Sequence, residues 1–293
     1  MACAMFTQAQ AAVVYSLGSD GTELVRFDSA TPASVTTVGT ISGGPSRLDG
    51  LDFRPSNGLL YGYSDLTQRA YIVDTNTGAV TLAANLDIPT NTNFLGLDFN
   101  PVADRLRIVT NSEQNLRVNV GNGVSLVDTP LAYAAADANF GADPSIIDAA
   151  YTNSALGSAF STRLYYLDYD INSLVTSSNP NAGLLSTVGL LGVDFDANAG
   201  FDIYTNNGTN SAFGALRVGG VTGLYSINLA TGAASLVGAI GDGSDLFFGL
   251  AVVPGNPVSN VVSEPGSLAL MTLAGLAALT IRRRQRAATT RAA

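Results

Sequence analysis

The sequence predicts an all-β protein: a β-propeller of five four-stranded blades, closed by strands from both chain ends and followed by a C-terminal hydrophobic helix. First, Leu48–Ala84 holds four short apolar runs separated by turn residues, and Phe94–Val127 repeats this pattern. Second, Asn-Gly, Thr-Gly and Gly-Gly pairs recur throughout, as many hairpins require. Third, a lone apolar run at Phe247–Val253 completes a set of three strands near the N-terminus. A recurring four-strand unit is typical of propeller blades.

Two alternatives to the five-bladed ring remain open at this point. A sixth blade is possible if one of the long loops hides another repeat. A two-sheet β-sandwich explains the strands but not their recurrence along the chain. We favour the ring because closure with strands from both ends removes the free sheet edges that promote aggregation.

The N-terminal region and the first two repeats have clear strand patterns. Before the first repeat, the predicted strands are Val13–Leu17, Glu23–Asp28 and Ser34–Ile41. In the first repeat they are Gly50–Phe53, Leu59–Ser64, Ala70–Asp74 and Ala79–Ala83. In the second they are Gly96–Phe99, Leu106–Thr110, Leu116–Val120 and Val124–Val127.

The last two repeats are less regular, and Thr-Asn pairs were used to place them against the second. The predicted third repeat has strands Leu131–Ala135, Ile146–Thr152, Leu164–Asp168 and Leu184–Val188, with loops at Ala136–Pro144 and Tyr169–Ala182. The predicted fourth has strands Gly192–Phe195, Phe201–Thr205, Leu224–Asn228 and Ala234–Val237, with an insertion at Asn207–Gly223.

The domain organisation follows from these patterns. We expect the propeller to span residues 12–254 and a linker with a sorting motif to span 255–265, followed by a hydrophobic segment at 266–281 and a basic cytoplasmic tail at 282–293. Residues 1–11 are either the remnant of a secretion signal or a disordered terminus. Ala9-Gln10-Ala11 fits the small-x-small cleavage pattern, but the basic and apolar regions of a signal are missing.

Charge and residue usage exclude several functional classes. Before Arg282 the chain carries nine Arg and 23 acidic residues, which argues against a nucleic-acid partner. The sequence has no His, so the usual general base, the His-activated nucleophiles and imidazole metal sites are missing. The only Cys is Cys3, so no internal disulfide can form.

The C-terminal region combines a short acidic motif, an apolar run and a basic cluster. Ser263-Glu264-Pro265 precedes an apolar run from Gly266 to Ile281, which ends at Arg282-Arg283-Arg284. This layout resembles the PEP-CTERM sorting signal, with Ser263 in place of the first Pro. The resemblance implies export, transient anchoring in the inner membrane and cleavage by an exosortase, in bacteria that make extracellular polysaccharide. The run has 16 residues where a spanning helix needs about 20, and its Arg cluster would stay cytoplasmic.

The body of the chain also resembles a known family. The segments GLDFRP, GLDFNPVADRLRIVTN, AAYTN, LLGVDFD and TGLYSI, between Leu48 and Gly241, are similar to the bacterial domain of unknown function 4394. The resemblance implies no activity, because the family has none assigned.

Three groups of residues are candidates for binding or chemistry. Asp52, Asp98 and Asp194 share one place in three predicted first strands: either they form an acidic ring that holds a cation such as calcium, or each caps its own blade turn. Asp194–Asp202 begins like a calcium loop but lacks its sixth-position Gly and twelfth-position Glu, and also aligns with ordinary blade turns. Around Leu164–Asp170, Tyr and Asp side chains suit either a sugar platform or strand packing.

The functional prediction is an exported, non-enzymatic propeller at the cell surface or in the exopolysaccharide matrix. It would bind a glycan, a protein or a cation, with an exosortase and the membrane as further partners and no required cofactor. The alternative is a propeller hydrolase or lyase that uses Asp and Glu, with or without calcium. That alternative predicts that acids from several blades converge.

Overall fold

The computed structural model of the chain describes residues 11–92, 94–157 and 159–257. Within them the protein is all-β, with strands arranged in five sheets. The predicted signal remnant lies almost wholly outside the described residues, as do the sorting motif, hydrophobic helix and basic tail. In the part of the chain that is described, no helix has the length and apolarity needed to span a bilayer.

The first three strands are hydrogen-bonded neighbours in one antiparallel sheet near the N-terminus. They are β1 (Val13–Gly18), β2 (Glu23–Asp28) and β3 (Thr31–Thr40), and a 3₁₀ turn at Ser19–Gly21 joins the first two. All three lie close to the predicted ranges.

Blades 1 and 2 follow as four-stranded antiparallel meanders. Blade 1 contains β4 (Gly50–Arg54), β5 (Leu59–Ser64), β6 (Arg69–Val73) and β7 (Val80–Asn85). Blade 2 contains β8 (Leu95–Asn100), β9 (Arg105–Thr110), β10 (Asn115–Val118) and β11 (Ser125–Val127). The first strand of each meander is the inner strand, and the predicted bounds of both blades are right to within about two residues.

Blade 3 differs from the prediction. It contains β12 (Ala132–Tyr133), β13 (Ile146–Tyr151), β14 (Leu164–Asp168), β15 (Ser173–Ser177) and β16 (Leu184–Leu190), with a 3₁₀ turn at Pro180–Ala182. The inner strand is β13, and β12 is an added edge strand that pairs in parallel with β16. The prediction that Leu131–Ala135 is the first strand is therefore wrong, and the predicted loop at Tyr169–Ala182 contains β15.

Blade 4 contains β17 (Phe195–Asn206), β18 (Thr209–Val218), β19 (Val221–Ile227) and β20 (Ala234–Ala239). The predicted strand Phe201–Thr205 lies within the long inner strand β17, but of the predicted strand Gly192–Phe195 only Phe195 belongs to it, so that first strand is wrong. The predicted insertion holds β18. Sequence patterning missed β18 because it is buried on both faces, so apolar and polar residues do not alternate. Phe213 packs into one core cluster and Leu216 into another.

The ring is closed by the last strand, β21 (Phe248–Val252), as predicted. β21 pairs antiparallel with β1, with Val14 opposite Val252, and thereby forms blade 5 from both ends of the chain. Each inner strand contacts the inner strands of both neighbouring blades, in the order β21, β4, β8, β13 and β17. The five-bladed propeller is therefore confirmed.

The hydrophobic core is divided into five clusters, each between adjacent blades. Tyr15 of blade 5 packs edge-on against Phe53 of blade 1, and Tyr61 of blade 1 packs similarly against Phe99 of blade 2. Blades therefore stabilise one another through face-to-face burial, and each inner strand is held on both sides.

Candidate functional site: a carboxylate cluster beneath a channel-mouth cavity

Three aspartates lie in the inner strands of three blades. Asp52 is in β4, Asp98 in β8 and Asp202 in β17, and all three are at most 5% exposed. In each strand a Gly lies two residues earlier, where the inner strands approach closely. At Gly96, an added Cβ would lie 2.2 Å from the Cα of Asp148.

Each of these aspartates accepts a backbone hydrogen bond from the next blade. The bonds are from Phe99 N to Asp52 Oδ2 (2.7 Å), from Val252 N to Asp202 Oδ2 (2.6 Å), and from the backbone of Tyr151 to Asp98. The carboxylates therefore join neighbouring blades at their inner strands. The equivalent position of β21 holds Ala251, so blade 5 contributes no carboxylate.

A fourth inner-strand aspartate, Asp148 of β13, has the same kind of contact but lies at a different level. Its Oδ2 accepts a hydrogen bond from Phe201 N (2.6 Å) and its Oδ1 from Ala149 N (2.8 Å). In the other contacts the donor is the residue equivalent to Phe99, which in β17 is Ile203. Asp148 instead contacts Phe201, two residues earlier, so it is displaced along its strand. A register shift between Ile146 and Asp148 accompanies this displacement.

Asp52, Asp98 and Asp202 come together inside the channel, and we name them the channel triad. One carboxylate oxygen from each lies within 4.8 Å of those of the other two. Asp202 Oδ1 accepts a hydrogen bond from Ile203 N (2.5 Å), and Asp52 has a second backbone donor in Phe53. In contrast, Asp98 Oδ1 is buried and has no hydrogen-bond partner in the described protein. A buried oxygen left in this state costs about 1–3 kcal/mol unless something else binds it.

Burial and mutual repulsion disfavour negative charge in the channel. Desolvation raises the pKa of Asp98 well above its ordinary value, and the Asp52 and Asp202 carboxylates raise it further. The pKa of Asp52 is raised for the same two reasons, first by burial and then by Asp202. Burial raises the pKa of Asp202 to about 7 and that of Asp148 well above its usual range.

No arginine of residues 11–92, 94–157 and 159–257 forms an ion pair with a channel aspartate. The basic side chains pair elsewhere: Arg47 with Asp49 and Asp65, Arg54 with Asp104, Arg107 and Arg117 with Asp128, and Arg217 with Asp196. Among the described residues, the channel triad is therefore influenced by a fourth carboxylate, Asp148, and has no ion-paired arginine to balance it.

A cavity of about 290 Å³ opens where the inner strands begin. It is lined from all five blades by Asp20, Arg47, Asp49, Phe94, Leu95, Ile147, Ala197, Asn198, Ala199, Phe248 and Gly249. We call it the mouth cavity. Leu95 and Ala199 are each three residues before an aspartate of the channel triad, so the triad lies about 10 Å further along the channel.

The polar wall of the mouth cavity is built around Arg47. Its Nη2 lies 3.1 Å from Asp49 Oδ1 and 3.2 Å from Asp65 Oδ1, while its Nε is buried and has no partner in the described protein. Burial and then the Asp65 side chain raise the pKa of Asp49 to about 7. Phe94, which is 41% exposed, supplies an aromatic wall.

The structure separates the residues predicted to form the acidic ring. It brings Asp52 and Asp98 together, but Asp194 is exposed and accepts a hydrogen bond from Asn172 Nδ2 (3.1 Å). Asp194 lies just before β17, and the aspartate that reaches the channel from this strand is Asp202. The stretch predicted as a calcium loop is largely strand, with Asp196 beside Arg217 at 3.7 Å.

The predicted tyrosine platform is a packing feature. Tyr165 and Tyr166 are buried in two different core clusters, and Asp168 accepts a hydrogen bond from the Tyr133 hydroxyl (2.5 Å). Their alternation along β14 places them on opposite faces of one blade.

Sequence reasoning missed Asp202, Asp148 and the mouth cavity. Asp202 had a signal, because Gly200-Phe201-Asp202 has the spacing of Gly96-Leu97-Asp98. The competing match of Leu191–Asp196 to the same motif obscured it. Arg47 has no counterpart in other repeats, so repetition alone could not identify it.

Comparison with known proteins identifies a family and no activity. A family model described as a domain of unknown function, DUF4394, matches residues 23–251. No curated protein matches the chain.

Two solved structures from Bacteroides thetaiotaomicron VPI-5482 are distantly similar. A structural genomics protein of unknown function has 15% identity and a TM-score of 0.46, with 81% of this chain and 56% of that chain covered. An auxiliary nutrient binding protein has 12% identity and a TM-score of 0.41, with 68% and 55% covered. The present chain thus spans little more than half the length of either protein.

Proposed function

We propose that this chain, which belongs to the DUF4394 family of unknown function, is an exported, non-enzymatic β-propeller that binds a short glycan in its mouth cavity. It acts at the cell surface or in the exopolysaccharide matrix. Among a glycan, a protein and a cation, the shape and lining of this cavity favour a glycan as the ligand.

The observation that carries this proposal is the combination of groups in one small cavity. Ligand pockets are mainly apolar with a few placed polar groups and span about 300–1,000 Å³, so about 290 Å³ suits a small ligand. Phe94 and Phe248 contribute aromatic rings to the lining, while Arg47 Nε is a buried donor without an acceptor among the described residues. A sugar ring presents an apolar face and hydroxyl or carboxylate oxygens, which match both features.

Export is proposed from the C-terminal sequence. Ser263-Glu264-Pro265, the apolar run and Arg282-Arg283-Arg284 supply the layout that an exosortase-type enzyme recognises, with transient anchoring in the inner membrane. Intact-mass measurement of protein recovered from the culture medium tests this. We expect loss of the residues after the motif, and replacement of the three Arg by Gln should block release. Recovery of uncleaved chain only from the cytoplasm would overturn the export proposal.

Glycan binding is tested by titrating the full chain with di- and trisaccharides of neutral hexoses and of uronic acids. We expect saturable binding that weakens at least tenfold in Phe94→Ala and in Arg47→Gln. Phe160→Ala is the matched control, because Phe160 is 98% exposed and does not line the mouth cavity. Absence of binding, or equal weakening in the control, would overturn the proposal.

A hydrolase or lyase is the second candidate, because acids from several blades do converge. Asp49, whose pKa is raised to about 7, has the protonation behaviour of a general acid at the cavity wall. Against this role, Asp49 Oδ2 accepts a hydrogen bond from Asp65 N (2.8 Å) and Oδ1 faces Arg47. Mass spectrometry of the same saccharides after incubation with the protein distinguishes the binding protein from the enzyme. Cleavage that Asp49→Asn abolishes supports the hydrolase or lyase.

A further inference from the structure

We propose that the channel triad, Asp52, Asp98 and Asp202, is a binding site for a hard divalent cation, calcium in particular. The site lies inside the channel, beneath the mouth cavity, and its three ligands come from three different blades. This inference does not depend on glycan binding in the cavity above.

The first support is the unpartnered oxygen of Asp98. Asp98 is 2% exposed and accepts a backbone hydrogen bond from Tyr151, but its Oδ1 has no donor among the described residues. Buried carboxylate oxygens are normally satisfied by hydrogen bonds or by metal ions. A cation at the centre of the channel triad would satisfy this oxygen.

The second support is distance. The three oxygens lie within 4.8 Å of one another. Calcium binds oxygen at about 2.3–2.6 Å, so two of its ligands can be up to about 5 Å apart. Three oxygens spread evenly around one calcium ion lie about 4.0–4.5 Å apart, so oxygens within 4.8 Å of one another can contact one ion after a small adjustment of the side chains. Water would complete the six to eight ligands.

The third support is charge. Three carboxylates meet in a region that water barely reaches, and no ion-paired arginine of the described chain balances them. Such a cluster must either bind protons or bind a cation. The ligand set contains only oxygen, which favours calcium or magnesium over zinc or copper.

The experiment compares thermal unfolding of the full chain and of Asp98→Asn at pH 7.5, with EDTA, with magnesium and with calcium. At a free calcium concentration about 100 times Kd, we expect the Tm of the wild-type chain to rise by about 5–10 °C. Asp98→Asn should lose this shift and, in EDTA, should be at least as stable as the wild type because a buried like charge is gone. Asp194→Asn, an exposed aspartate, should keep the full shift.

A purely structural role for Asp98 gives a different result. If Asp98 only joins blades 2 and 3, Asp98→Asn lowers the Tm by the same amount with and without calcium. Calcium then either raises the Tm of neither protein or raises the Tm of both equally. That outcome overturns the proposal. A shift seen only with magnesium overturns the assignment of the site to calcium.

Calorimetric titration of the wild-type chain with calcium provides a measurement that does not need a variant. We expect saturable binding of one ion per chain, because the three ligand oxygens converge on a single position. Absence of saturable binding at about one ion per chain overturns the assignment.

Discussion

Arg107 offers a quantitative test of how the blades are joined. Its side chain is 2% exposed and contacts groups of blades 2 and 3. The partners are Asp128 Oδ2 (2.7 Å), Asn115 Oδ1 (2.5 Å), Asn181 Oδ1 (2.7 Å) and the Tyr151 hydroxyl (3.3 Å). We predict that Arg107→Met strongly destabilises the propeller.

The expected loss is large because the buried side chains of Asn115 and Tyr151 lose the guanidinium donor and Asp128 loses its buried ion-pair partner. Removing one member of a buried ion pair costs about 3–5 kcal/mol. Asp128 also pairs with Arg117, through Nε (2.7 Å) and Nη2 (2.8 Å), but the side chain of Arg117 is 30% exposed. Arg117→Met should therefore cost about 1 kcal/mol or less. Both variants remove a positive charge from Asp128, but Arg107→Met removes the buried one and also the donor to Asn115, Asn181 and Tyr151.

Urea denaturation followed by circular dichroism measures both losses. We expect the midpoint to fall far more in Arg107→Met than in Arg117→Met, with similar slopes. Equal losses in the two variants would refute the reasoning, because burial of the guanidinium would then make no difference to the stability of the blade contact.

Two further predictions concern the inner strands. Gly96→Ala places a Cβ 2.2 Å from Asp148 Cα and should lower the free energy of unfolding by more than about 3 kcal/mol or prevent folding. The control Gly121→Ala should lower it by about 1 kcal/mol or less. Solubility and urea midpoints of the two variants check both values. In EDTA, stability should fall from pH 4 to pH 8, because an aspartate with a raised folded pKa stabilises fully below its unfolded pKa and loses that stability as pH rises through the folded pKa. For Asp202, a rise from 3.8 to about 7 corresponds to about 4 kcal/mol, and urea midpoints across this pH range measure it. A flat or rising profile would contradict burial of unbalanced carboxylates.

The regular repeats allowed the fold to be predicted, because each hairpin has local turn chemistry. Asp74 illustrates this: its Oδ1 accepts a hydrogen bond from Asn76 N (2.7 Å), its carbonyl accepts one from Gly78 N (2.9 Å), and Gly78 has φ of 75°. These interactions need no distant partner. The same chemistry at Thr231-Gly232 located the last hairpin of blade 4.

The strands of blades 3 and 4 were misassigned because the Thr-Asn dipeptide occurs at the end of a second strand in blade 2 but near the end of an inner strand in blade 4. The two threonines are Thr110 and Thr205. Aligning the two moved the predicted inner strand to Gly192–Phe195 and selected Asp194 over Asp202. Only packing decides between Asp194 and Asp202. Gly200, two residues before Asp202, fits against the backbone of Leu250 in β21 and so identifies its segment as the inner strand. Contacts of this kind join distant parts of the chain and cannot be read locally.

The mouth cavity could not be predicted from the sequence, because it too depends on contacts between distant parts of the chain. Its lining comes from all five blades, and Asp20, Arg47 and Asn198 lie in loops or irregular strand segments. No repeat pattern marks them, so only the closed ring brings them together.

Closure of the ring by both chain ends is therefore the central structural claim, and a designed disulfide tests it directly. Val13 and Val253 are exposed and adjacent, with Val253 N donating to the Val13 carbonyl (2.9 Å). In antiparallel pairs the Cα atoms lie about 4.5–5.5 Å apart, within disulfide range. In a Cys3→Ser background, we expect Val13→Cys with Val253→Cys to form an intramolecular disulfide under mild oxidation, detected by non-reducing intact mass. Val13→Cys with Val102→Cys should not. Free thiols or only intermolecular dimers in the first pair would contradict a ring closed by β1 and β21.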